Sequence, residues 1–350
     1  EPCIACEDWP GMQRIFDEHE RIVRRYRAEG GKLMDLMVNR AKAPLPRNVR
    51  FFIGRHCRVF TDTPHSNGHG YLIWAEKNWH QFAKDFEMGE EEGSDWDVRW
   101  HNNKHNDIIV ASHDVFVKLI EWYYNTPYMD AQTKMMGLKT LKKLGGIGFL
   151  IGRMSYASQQ GPDQDERGII HSFTQSMLYA GFRSGDSRAN PFTAWITEGL
   201  GAYYQQVLRG TVTWYSVAYG GGTQRDRETW GPFNNWKKAL AKANSVPKSS
   251  FDERTGSWKG LIPLDTLIRM RVTNIPAQGV AQGWALVHYF MGTGQRSKKK
   301  RAKARMKFKE FLKLVGAGVD QIEAFKKVYK IKKLSTLEQR WRIWLRGFTR

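Results

Sequence analysis

The feature that most constrains the fold is a change of hydrophobic period along the chain. VRFFIG (49–54) and CRVFTDT (57–63) are short runs of β-branched and aromatic residues, the composition of strands. YLIWAEKNWHQFAKDF (71–86) takes helical spacing, and the charged, irregular run 87–105 reads as a loop. NDIIVAS (106–112) is a predicted strand and HDVFVKLIEWYY (113–124) a helix capped near Ser112 to Asp114. GGIGFLIGRMSYAS (145–158) reads as a pair of strands or one bent strand. Beyond it the period is almost entirely helical. WITEGLGAYYQQVL (195–208) and AQGWALVHYFMG (281–292) are helices. Phe308, Phe311, Leu312 and Val315 repeat at helical spacing, with Gly316 expected as the C-cap. Leu337, Trp341, Trp344, Leu345 and Phe348 form the stripe of a last helix. Strands mixed with helices, followed by helices alone, predict an α+β fold.

The N-terminal stretch is separate from this pattern. Ile15, Phe16, Ile22, Val23 and Tyr26 mark a helix, and AKAPLPR (41–47) is a proline-marked linker. The expected organisation is a helical arm over 1–45, an α/β subdomain over 46–168 and a helical subdomain over 169–350. With 350 residues, 41% of them hydrophobic, the chain can bury a large core. No run reaches the ~18 apolar residues of a membrane span, so no transmembrane segment is expected.

Charge is concentrated at one end. The chain carries +20, and from Arg296 onward 19 Lys and Arg face only Glu310, Asp320, Glu323 and Glu338, so most of the excess lies there. Within RSKKKRAKARMKFK (296–309), residues Arg296, Lys298, Lys299, Lys300, Arg301, Lys303 and Arg305 are the candidate contacts to an anionic partner. That partner is an acidic protein subunit, an acidic glycan, a lipid surface or a nucleic acid, and no nucleic-acid motif favours the last. A solvated helix face is the competing reading. Cys3-Ile-Ala-Cys6 has no second C-x-x-C, and Cys57 is an alternative partner for either in an oxidising compartment. A first residue Glu1 rather than Met fits a processed N-terminus, so a secreted or periplasmic location is expected.

The stretch HSFTQ (171–175) carries the chemical question. In the H-E-x-x-H zinc helix two histidines one turn apart bind the metal and the Glu activates water. Here His171 stands at the first ligand position, Ser172 at the Glu position and Gln175 at the second His position. A neutral amide oxygen is a poor zinc donor, and Ser172 cannot act as general base at neutral pH. Nor does Ser172 read as a nucleophile with His171: adjacent helical residues do not face each other, and no G-x-S-x-G elbow surrounds it.

Trp195-Ile196-Thr197-Glu198-Gly199-Leu200-Gly201-Ala202-Tyr203-Tyr204 follows with 22 residues between Gln175 and Glu198. Together with HSFTQ, and with RHCRVFTDTP (55–64), NDIIVASHDVFVKLIEW (106–122), GGIGFLIGRMSYAS and EAFKKVYKIKKLSTLEQRWRIWLRGF (323–348), it resembles a secreted bacterial gluzincin-like (zinc peptidase-like) family over about 50–350. The resemblance implies a gluzincin-like fold, with a small N-terminal α/β subdomain built on a mixed sheet and a mainly helical C-terminal subdomain. It implies that His171 and Glu198 are vestigial ligand positions, and that Ser172 and Gln175 are degenerate ones. The reading that follows is a pseudo-metallopeptidase with no cofactor, working as a binding or assembly component of a larger assembly. The edge strand near 148–158 would hold an extended chain. The alternatives are an atypical metallopeptidase holding zinc through His171 and Glu198, and a polyanion-binding scaffold acting through the basic C-terminal region.

Two further histidine pairs, His65 with His69 and His101 with His105, lie in sequence that reads as loop, where i, i+4 spacing fixes no geometry. Solvated loop histidines are the expectation. Gly220-Gly221-Gly222 lacks the Lys-Ser/Thr of a phosphate loop and reads as a turn.

Overall fold

The computed structural model describes residues 50–62, 65–91, 93–97, 105–124, 148–150, 155–159, 167–183, 191–213, 230, 232–254, 256–272 and 274–349. The N-terminal arm, Cys3, Cys6, His101 and Gly220 to Gly222 lie outside the described residues. The chain forms two compact units, residues 1–83 with 88–176 and residues 84–87 with 177–350.

Unit 1 is built on a five-stranded mixed sheet, so the chain is of α+β class. Strands β1 (Arg50–Ile53) and β2 (Cys57–Thr61) form an antiparallel pair whose backbone register places Phe51 opposite Phe60. Between them Gly54 donates its N–H to the Cys57 carbonyl at 2.8 Å. Helix α1 begins at His65 and runs to Asp85, and β3 (His105–Val110) returns parallel to β2. Helix α2 (His113–Tyr124) follows. Strand β5 (Ser155–Gln159) lies parallel to β3, and β4 (Gly148–Leu150) closes the edge antiparallel to β5. The order is β1-β2-β3-β5-β4. Cys57, Val59, Phe60 and Thr61 are all buried, as expected for a strand with parallel pairing and cover on both faces.

The first turn of α1 corrects the loop expectation for HSNGH. Gly68 packs under Phe52, whose ring would stand 2.0 Å from a Cβ at that position. His69 meets the same ring edge-on at 5.0 Å. Packing thus carries the helix through Ser, Asn and Gly, which propensity alone disfavours.

Helix α3 (Arg167–Phe182) contributes to both units. Unit 2 continues with α4 (Ala194–Arg209), α5 (Trp236–Asn244), an exposed hairpin of β6 (Ser250–Asp252) and β7 (Ser257–Lys259), and α6 (Leu264–Leu267). Then come α7 (Ala277–Phe290), α8 (Lys298–Gly316), α9 (Gln321–Tyr329) and α10 (Leu334–Phe348). Its core includes a cluster of aromatic rings, in which Trp195 and Phe290 meet Phe308, Phe311 and Phe325 with centroids 4.2 to 6.4 Å apart.

Gly316 does not end α8 as a left-handed cap. It is buried, and a Cβ there would overlap the Phe182 carbonyl. The positive φ of +86° belongs to Gly318, two residues later. Close backbone approach therefore selects glycine at 316, and chain reversal selects it at 318.

Candidate functional site

The motif helix is buried at HSFTQ. His171, Ser172 and Gln175 are buried in unit 1, on the part of α3 that packs against α1. Asn78 of α1 fixes this contact. Its Nδ2 donates to the Ile170 carbonyl and to Thr174 Oγ1, both at 2.9 Å. Thr174 Oγ1 in turn donates to the Ile170 carbonyl at 2.7 Å.

Gln175 Nε2 lies 3.0 Å from His171 Nε2. Since an amide N–H can only donate, the imidazole accepts at Nε2 and carries its proton on Nδ1. The lone pair a metal would use is taken up by the amide. Ser172 donates its hydroxyl to the Ile169 carbonyl at 3.2 Å, a bond within its own helix. Among the described residues no group of three or more His, Cys, Asp or Glu is arranged to hold a metal ion. This donor set does not fit zinc: one imidazole is engaged, and the partner one turn along is a neutral amide.

Glu198 lies in unit 2 on α4, where Ala194 to Gln205 are buried without interruption. That stretch packs on α7 through two glycines. A Cβ on Gly199 would stand 2.7 Å from the Gly283 carbonyl, and one on Gly283 would stand 2.8 Å from the Trp195 carbonyl. The glycine after Glu198 is thus a helix-crossing residue. Tyr179, on the part of α3 that belongs to unit 2, lies within electrostatic reach of Glu198. Burial pushes its phenol up, Arg183 opposes that, and the Glu198 carboxylate adds to it. Arg183 Nε and Nη2 are buried and make no hydrogen bond among the described residues. Neither Tyr179 nor Arg183 carries a motif signal.

Sequence reasoning also missed a buried polar constellation of unit 1. His56 is buried and stacks flat on Trp79, centroids 3.7 Å apart. Its Nδ1 bonds Glu76 Oε2 at 2.5 Å and its Nε2 bonds Asp97 Oδ1 at 3.0 Å. Its backbone N–H donates to Glu76 Oε1 at 2.8 Å. Arg55 grips Asp97 with two bonds of 2.6 Å, from Nε and Nη2. Burial pushes the Glu76 carboxyl up, but the charge and hydrogen bonds of His56 more than offset this and hold it below its ordinary value. The Arg55 hydrogen bonds hold Asp97 well below the carboxylate range against burial, helped by the Gly93 N–H and His56. The two ring nitrogens of His56 face different carboxylates, so these groups form a linear chain rather than a set converging on one ion.

The basic run divides. Arg296, Lys298, Lys299, Lys300 and Lys303 are exposed and Arg301 half-buried. Arg305 differs from them: its Nη1 donates at 2.5 Å to Asp85, whose side chain is 2% exposed. Tyr204 donates to the other oxygen of Asp85 at 3.4 Å. Arg305 is therefore an internal ion-pair residue.

No helix of the described residues is long and apolar enough to cross a membrane. No protein-family model matches the chain, and no curated protein matches it.

Proposed function

We propose that the chain is a catalytically degenerate zinc-peptidase-like protein that acts outside the cytoplasm as a binding or assembly component. The reading starts from the resemblance of HSFTQ and TEGLGAYY to the gluzincin-like pattern. The observation that supports it is the hydrogen bond from Gln175 to His171 Nε2. It engages the one imidazole of the motif, while Ser172 bonds its own helix and supplies no carboxylate. The retained capability is backbone recognition. Strand β4 lies at the edge of the sheet, antiparallel to β5, and an extended peptide adds to such an edge through main-chain hydrogen bonds. A second reading, an anion-binding scaffold, is favoured by the exposure of Arg296, Lys298, Lys299, Lys300 and Lys303.

The experiment is elemental analysis of the full chain after incubation with zinc and dialysis, run beside hydrolysis of a quenched-fluorescent peptide library with and without chelator. Zinc far below one per chain, with no chelator-sensitive hydrolysis, is expected. One zinc per chain with chelator-sensitive cleavage would replace this reading by an atypical metallopeptidase using His171 and Glu198.

A further inference from the structure

Unit 2 contains a groove of about 770 Å³, within the size range of binding sites. Its walls are the segment Pro191–Thr193 entering α4, the turn Ile268–Val272 after α6, and the α8–α9 connection. These walls are tied together. Ala194 donates its N–H to the Met270 carbonyl at 3.0 Å. Gln321 donates Nε2 to Thr193 Oγ1 at 2.9 Å and accepts from Trp195 Nε1 at 2.9 Å. The groove is thus framed by fixed hydrogen bonds rather than by apposed side chains alone.

Its lining combines two features. Phe192, Ile268 and Val315 are buried beneath it, while Val272 and Val319 are 38% and 36% exposed. These two valines are among only five large hydrophobic residues exposed among the described residues, and both line this groove. Arg269 and Arg271 are exposed in the same wall, and among the described residues neither joins an ion pair. The one acid of the lining, Asp320, is engaged as the N-cap of α9, where Oδ1 accepts from the Ile322 and Glu323 N–H groups. The groove therefore offers an apolar centre and two guanidinium groups, the anatomy of a protein-interaction site rich in Arg with an apolar centre.

We propose that this groove docks a short acidic peptide segment of a partner protein. A branched apolar side chain seats between Val272 and Val319, and flanking carboxylates pair with Arg269 and Arg271. Charge complementarity selects the acid: guanidinium matches carboxylate geometry with two parallel bonds. The apolar floor selects against a nucleic-acid backbone, which needs charge along its length. No residue of HSFTQ lines this groove, and the proposal does not depend on the reading given above.

The test is selection of a random heptapeptide display library on the immobilised full chain, followed by fluorescence polarisation of the selected peptides. Expected is enrichment of sequences with acids flanking Val, Ile or Leu. Arg269→Glu with Arg271→Glu, and separately Val319→Asp, should weaken their binding by about tenfold or more, since each tenfold is only about 1.4 kcal/mol. The melting temperature should stay nearly unchanged, because these residues are exposed. The quadruple change Lys298→Gln, Lys299→Gln, Lys300→Gln and Arg301→Gln should leave peptide binding within about twofold. The proposal fails if no acidic-aliphatic preference emerges, if the groove variants bind as well as the native chain, or if the quadruple variant loses binding equally.

Discussion

Gly199 and Gly283 meet across the α4–α7 crossing so closely that a methyl group on either would press on carbonyl atoms of the other helix. Replacing glycine by alanine inside a helix ordinarily gains about 1 kcal/mol from propensity. Here the obstructing atoms are backbone and cannot turn aside. Gly199→Ala and Gly283→Ala are each expected to destabilise the protein by about 1–3 kcal/mol, the cost of overpacking. Chemical denaturation followed by circular dichroism measures this, and a stabilised variant would contradict the crossing.

Arg305 and the lysines before it should separate cleanly in mutagenesis. Arg305→Met takes the guanidinium away from the buried Asp85 carboxylate, and a loss of about 3 kcal/mol is expected. Lys298→Gln, Lys299→Gln, Lys300→Gln and Arg301→Gln together should change stability by less than about 0.5 kcal/mol per site. The same quadruple change should lower the salt concentration at which the chain leaves a heparin column, because exposed charges are screened within about 8 Å at physiological ionic strength. Unchanged elution would assign these side chains to a merely solvated face.

The His56 constellation should make stability depend on pH in the acid range. Glu76 and Asp97 both have depressed values in the folded state. Depressed carboxyls contribute stability above their unfolded values, 4.5 and 3.8, and that contribution is lost as pH falls through the folded ones. Stability should thus decline as pH falls below about 4.5. Glu76→Gln and Asp97→Asn should lower stability at pH 7 and flatten the acid side of the profile. Thermal melts between pH 3 and pH 7 report both effects, and an unflattened profile in both variants would refute the assignment.

His288 in unit 2 acts over a different range. Burial first, and Lys237 second, push its imidazole down to about 3 from 6.5. It holds Gln206 Oε1 at 2.7 Å and Thr293 Oγ1 at 2.9 Å. A base depressed on folding takes up its proton in the unfolded chain first. Its contribution is therefore complete above 6.5 and falls as pH drops from 6.5 toward about 3, by up to about 1.4 kcal/mol per pH unit. His288→Gln should remove this slope between pH 6 and pH 4.5 while costing stability at pH 7. Persistence of the full slope would place the titrating group elsewhere.

The helices and strands were legible wherever burial repeats at a fixed period. HDVFVKLIEWYY occupies the helix its stripe specifies, and the strands at 49–54, 57–63 and 106–112 are present within a residue or two. The α+β class followed from their order. Illegible were elements set by tertiary contact or by too few residues. The start of α1 depends on Phe52 covering Gly68, and the β6–β7 hairpin has three exposed or half-buried residues per strand. At the site, the residue types of HSFTQ told which chemistry was missing, and the Gln175–His171 bond follows from i, i+4 spacing. His56 gave no local signal, because its carboxylate partners lie 20 and 41 residues away in sequence.

The parallel pairing at the centre of the first sheet has a kinetic consequence. Neither β2 with β3 nor β3 with β5 can zip from a turn, since each register joins residues about fifty positions apart. Their loops must close before any ladder bond rewards the closure, which makes such sheets slow to form. The helices of unit 2 are largely local and nucleate quickly by comparison. During synthesis the slow half is made first. Its Val- and Ile-containing strands emerge unpaired, so the interval between their synthesis and sheet closure is when this chain most needs protection from aggregation.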